Sequence, residues 1–143
     1  MVHALEEIKR TLVPRGLLID LRPLLGRWPV EVAWGNESRE VGRLIDLPEA
    51  LKDDAAANHA MEEAAHRNWF MLEQGERFPL FYSWDTANDM EEFLNEEWDG
   101  FVQLDEVVSK AARSAWAVAN ADARVRVRVE MMIDRWRRLE TLK

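Results

Sequence analysis

The sequence predicts an α/β fold, in part α+β-like: a small mixed sheet flanked by helices, with a β-hairpin and one long final strand. Three observations carry this. Val125, Val127, Val129, Met131 and Ile133 occupy every second position, the spacing that lines one face of a strand. Val2, Leu5, Ile8 and Leu12, and later Met90, Phe93, Leu94 and Trp98, recur at intervals of three and four, which align on one side of a helix. Val30, Val32 and Trp34 alternate with Glu31 and Ala33 before Gly35 and Asn36 reverse the chain into residues 39–45, the pattern of a hairpin.

The elements follow in order. A first helix over Val2 to Leu12 stops at Pro14-Arg15-Gly16. Leu17-Leu18-Ile19-Asp20-Leu21 is a short apolar run that reads as a strand covered on both faces and ends at Arg22-Pro23. Residues 48–72 read as one long helix or two abutting ones, with Pro48 in the first turn, many alanines, and Met61, Ala64, Asn68 and Leu72 on one face; Gly75 closes the segment. Phe78 to Trp84, apolar on both faces, reads as a strand inside the sheet, although Pro79 removes a ladder donor. Thr86 and Asp89 have capping-box spacing, Gly100 ends that helix, and Asp105 caps the next, whose stripe is Val108, Ala111, Ala112, Ala115, Trp116 and Ala119. The alternation from Val125 predicts a final strand, with a terminal helix through Met132, Trp136 and Leu139 as its competitor.

The 143 residues fit one domain, 1–143, with a sizeable core. The absence of cysteine excludes a disulfide scaffold, a thiol nucleophile and a cysteine metal site, and it suits a cytoplasmic protein. No leader-like or membrane-spanning apolar segment is read. With 27 acidic against 19 basic side chains the formal charge is −8, which argues against nucleic-acid and anionic-membrane partners.

Among candidate site residues, His59, Glu63 and His66 share a helix face, and Glu63 to His66 has the Glu-x-x-His spacing of carboxylate metal bundles. No second such pair exists, so a polar helix face is the preferred reading and no metal is expected. Nine acids and no lysine or arginine lie between Phe78 and Ser109, most of them opposite Met90, Phe93 and Leu94, as on a solvated helix face. Asp85, between the aromatic strand and a helix, is a capping or ligand-binding position. Arg124, Arg126 and Arg128 point to one side of the last strand, their heads directed to acidic helix surface or solvent. Seven tryptophans exceed what one small core needs, so Trp28 and Trp34 are expected in a pocket or interface, with Trp69, Tyr82 and Trp84 as further ligand- or partner-surface residues. Gly-x-Ser-x-Gly and the P-loop are absent, and no catalytic residue is assigned.

The run from Ala4 to Pro23, ALEEIKRTLVPRGLLIDLRP, resembles the helix, Pro-Gly turn and strand midway through class I S-adenosylmethionine-dependent methyltransferases, with Arg15 in place of the first glycine of Pro-Gly-Gly. The order of the remaining elements is similar to that family's carboxyl-terminal half. The resemblance implies that the final strand is antiparallel and central, with Val125 to Ile133 between Leu17 to Leu21 and Phe78 to Trp84. It also implies an open edge at Leu17, Leu18, Ile19 and Leu21, an invitation to pairing. The family's cofactor sits on a glycine-rich strand-to-helix turn, and no Gly-x-Gly-x-Gly occurs here, so no cofactor-binding residue is carried over. The expectation is a non-catalytic methyltransferase-like domain that oligomerises, as a homodimer, or binds a partner or small ligand. The alternative is the substrate-side portion of a split methyltransferase, with S-adenosylmethionine brought by a separately encoded cofactor-binding half.

Overall fold

A computed structural model describes residues 1–140. Four helices, α1 (Val2–Thr11), α2 (Pro48–His66), α3 (Ala87–Glu97) and α4 (Glu106–Ala117), accompany seven strands: β1 (Leu17–Pro23), β2 (Pro29–Trp34), β3 (Glu37–Arg43), β4 (Ile45–Asp46), β5 (Phe70–Trp84), β6 (Val102–Gln103) and β7 (Arg124–Arg138). A five-stranded sheet is organised on β7, with which β1, β2 and β5 all pair, while β3 continues from β2; β4 and β6 form a separate two-stranded sheet. The β1–β7, β2–β7, β2–β3 and β4–β6 pairings are antiparallel. The final strand thus has the central position expected of it and neighbours both strands expected beside it, but Leu17 to Leu21 lie beside Arg137 to Ile133 rather than along Val125 to Ile133, where β2 takes the first positions.

The chain forms two compact units. The first comprises Met1–Leu24, Lys52–Phe78 and the chain from Met131. Leu5 of α1, Ala60, Met61 and Ala64 of α2, and Trp69, Phe70 and Trp136 make its core, with Val2, Ile8, Leu12 and Leu18 packed against it. Val2, Leu5, Ile8 and Leu12 are the positions whose helical spacing marks an apolar face. Arg15 takes the left-handed conformation (φ 63) in the turn before β1, where the resemblance has a glycine, and its carbonyl accepts from Arg137 Nη1 at 2.7 Å. β1 pairs with Met131 to Arg137 of β7.

The second unit comprises Leu25–Leu51 and Pro79–Glu130. The β2–β3 hairpin turns at Gly35 (φ 53), as the sequence predicts, with a register shift between Val30 and Glu31. Val30 and Val32 face inward with Val125 and Val127 of β7, all fully buried, and α4 packs against β2 and β3. Thr86 caps α3 through the Asp89 amide, and Asp105 caps α4 through the Val108 amide at 2.8 Å. Glu91 of α3 accepts from Ser109 and Arg113 of α4.

Several expectations need correction. α2 ends at His66, not at residue 72, because Arg67 and Asn68 turn the chain, Asn68 with φ 56; alanine-rich composition does not mark where the turn falls. β5 begins at Phe70, eight residues before the predicted start, and Gly75 lies inside it. The reason for a glycine there is close approach: a side chain at Gly75 would meet the Asp134 carboxylate. Residues 71–83 of β5 are exposed rather than buried inside the sheet, since among the described residues the strand pairs only with β7, a place where Pro79 is tolerated. β1 is not covered on both faces: Leu17, Ile19 and Leu21 are 44, 51 and 56% exposed, while Leu18 turns to the core. Along β7 the burial alternation changes phase after Val129, so Met132, Asp134 and Trp136 are buried in place of Met131 and Ile133. The two-stranded β4–β6 sheet is too short to leave a periodic signal.

Gly42 tests the α4 contact. A Cβ there would lie 2.5 Å from Val108 Cγ2, a stiff β-branched side chain in the same unit. Gly42→Ala is expected to destabilise by about 1–3 kcal/mol, while Gly26→Ala, with nothing within 4 Å, is near neutral; urea denaturation of both variants checks this.

Candidate functional site

The second unit collects a continuous set of aromatic rings. β5 places Tyr82 and Trp84 two residues apart, hence on one side of the strand, with ring centroids 6.4 Å apart and planes inclined by 21°. Phe93 of α3 lies 5.2 Å from Trp84 and 6.1 Å from Tyr82. Trp98, just past α3, meets Tyr82 edge-on at 4.9 Å and Phe93 at 5.5 Å, and continues to Trp28 at 5.5 Å. Trp28 is 3% exposed and also contacts Phe101. The set therefore runs from a buried indole to Tyr82, which is 37% exposed. The T-shaped and tilted contacts are those aromatic quadrupoles favour.

The charged groups around it are sorted by strand pairing. Glu31 on β2 stands opposite Arg126 on β7. Its carboxylate, on a residue 6% exposed, receives Arg126 Nε at 2.8 Å, with Arg128 Nε 3.6 Å from the second oxygen. Burying one carboxylate is tolerable here because two guanidinium groups face it. The Arg126 guanidinium also lies 4.3 Å over the Phe81 ring. Asp85, on the surface, pairs with Arg124 at 3.1 Å. The alternating arginines of β7 are therefore engaged on Glu31, Asp85 and Phe81, not on the outer surface of an acidic helix.

In the first unit, Glu73 of β5 is held by a forked pair from Arg137, Nε at 2.6 Å and Nη2 at 3.0 Å, with Arg135 Nε at 3.1 Å. The hydrogen bond from Arg137 holds the Glu73 carboxyl below its ordinary value and, reciprocally, raises the Arg137 pKa. Asp20 and Asp134 stand directly opposite on β1 and β7, each beside a guanidinium: Arg22 Nε is 3.1 Å from Asp20 and Arg77 Nη1 is 3.4 Å from Asp134. Ile19, Gln74, Glu76, Ile133 and Arg135 line a cavity of about 250 Å³ in the same unit.

The residues singled out from the sequence are thus distributed. Tyr82, Trp84 and Trp28 belong to the aromatic set, and Asp85 follows Trp84. Trp34 donates its indole N–H to Glu37 at 3.0 Å. Trp69 is in the first unit's core, its ring under Lys9 and Arg67. Leu17, Ile19 and Leu21 form an exposed row on β1, and Leu18 faces inward. On α2, Glu63 is taken by Arg67, whose hydrogen bond lowers its pKa, while His59 and His66 are exposed; among the described residues no three His, Asp or Glu side chains converge as metal ligands. Sequence reasoning did not single out Phe93, Phe101 or Glu31. Alternation along the hairpin and final strand places Glu31 and Arg126 in reach, but only once the register is known. Among the described residues, no helix is long and apolar enough to cross a membrane. No family model, curated protein or solved structure matches the chain.

Glu73 gives a pH prediction. Its native pKa lies below the ordinary 4.5, so its contribution to stability is fully present above that value and is lost as pH falls through the lowered native one. Wild type and Glu73→Gln are expected to differ in urea midpoint at neutral pH, wild type being higher, and to converge at acid pH.

Proposed function

We propose that this chain is a non-catalytic, methyltransferase-like domain whose function is association, and that it forms a homodimer through β1. The observation that carries the reading is the row Leu17, Ile19 and Leu21, half in solvent on a strand that, among the described residues, pairs only with β7. An apolar strand with an open backbone edge gains both ladder hydrogen bonds and burial by pairing. A two-fold pairing of identical strands meets the first requirement of a closed assembly, since one patch serves both partners. The absence of cysteine supports a cytoplasmic setting.

A second reading is the substrate-side portion of a split methyltransferase. It is favoured by the likeness of Ala4 to Pro23 to that family and by the pairing of both β1 and β5 with β7. In it, β1 docks a separately encoded cofactor-binding half, which brings S-adenosylmethionine; the isolated chain, without a glycine-rich turn, holds none.

Sedimentation velocity at micromolar concentration separates these readings. A dimer is expected, converted to monomer by Leu21→Lys with an unchanged circular dichroism spectrum. A wild-type monomer that recovers no partner counts against association through β1. Calorimetry with S-adenosylmethionine on the isolated chain is expected to show no binding, and clear micromolar binding would overturn the non-catalytic reading.

A further inference from the structure

The second unit carries sixteen acidic against eight basic side chains, so the protein's whole formal charge of −8 falls on it. Part of that charge is neutralised within the unit, Glu31 by Arg126, Asp85 by Arg124, and Glu91 by Arg113. Asp89, Glu92, Glu96 and Glu97 of α3 have no ion pair among the described residues. Relative to Phe93 they stand four before, one before, three after and four after, so Asp89, Glu96 and Glu97 are its neighbours on the helix surface.

Two rings elsewhere in this protein are met by cations. Trp69 has Arg67 at 5.1 Å and Lys9 at 5.4 Å, and Phe81 has Arg126 at 4.3 Å with Glu31 holding the same guanidinium. On the other side of β5, Tyr82 and Trp84, with Phe93, have no lysine or arginine over them among the described residues. A partly exposed aromatic surface bordered by unpaired carboxylates is complementary to a partner that is both planar and positively charged. Guanidinium meets that description better than ammonium, because it stacks flat on a ring and is more weakly hydrated. The acids from Asp89 to Glu97 span about 12 Å of helix, more than one small cation covers.

We propose that Tyr82, Trp84 and Phe93, with Asp89, Glu96 and Glu97, form a docking surface for an arginine-bearing basic peptide segment of a partner protein. One guanidinium stacks on the Tyr82 and Trp84 side of β5 and others pair with the α3 carboxylates, repeating the Phe81–Arg126–Glu31 arrangement with the arginine supplied from outside. The surface uses none of the β1 residues invoked for association.

The test is calorimetry and tryptophan fluorescence with the capped pentapeptide Arg-Gly-Arg-Gly-Arg, on the full chain at physiological salt. Saturable one-to-one binding is expected, about threefold or more tighter than for the lysine counterpart. Tyr82→Ser and the exposed double variant Glu96→Gln/Glu97→Gln are each expected to weaken it about fivefold, and Leu21→Lys to leave it unchanged. Absence of saturable binding overturns the proposal. So does equal affinity of wild type and Tyr82→Ser, which would mean attraction by charge alone. Conversion of a wild-type dimer to monomer by Tyr82→Ser would also overturn it, by showing that a second copy occupies the surface.

Discussion

β7 is the constraint on which the rest of the structure depends. Fifteen residues long, it pairs with β1, β2 and β5, and it contributes to both compact units. Its valines at 125, 127 and 129 fill the interior of one unit, and Met132 and Trp136 are buried in the other. The burial alternation changes phase after Val129, odd positions being buried before it and even positions after it. It also decides which charges are sheltered: Asp134 comes to the buried side, and Arg135 and Arg137 go to the side where Glu73 holds them.

The arginine ladder on this strand follows from the same geometry. A run of Arg124, Arg126 and Arg128 on an isolated strand would repel itself. Antiparallel pairing sets Glu31 against Arg126, and the chain after β5 brings Asp85 to Arg124, so each guanidinium gains a partner within its own unit. The Arg126 guanidinium also lies over the Phe81 ring. A cluster that looks basic in sequence is therefore an internal device. Part of the net acidity is left on α3, where carboxylates without ion-pair partners neighbour Phe93.

Much of the architecture was legible in the sequence. α1, the β2–β3 hairpin, both capped helices α3 and α4 and the final strand all follow from periodicity, a Gly-Asn turn and capping residues, which are local signals read at fixed spacing. The reach of α2 and β5 was not legible. Alanine-rich and apolar segments lack a sharp stop, and Asn68 in the left-handed conformation is what ends one and permits the other. Of the candidate site, Trp84 and Trp28 could be nominated from tryptophan excess, but Phe93 looks like any apolar position on a helix stripe.

The sequence by itself determined the class of fold, the exclusion of cysteine chemistry and the absence of a glycine-rich nucleotide turn, because each depends on composition or on residues close along the chain. Only the tertiary structure decided which apolar residues are buried. Leu17 to Leu21 and Phe78 to Trp84 are as apolar as core strands, yet much of their surface meets solvent, since burial depends on whether another layer lies over a face. The tertiary structure likewise decided which charges are neutralised, because cross-strand register brings together residues such as Glu31 and Arg126 that are ninety-five positions apart.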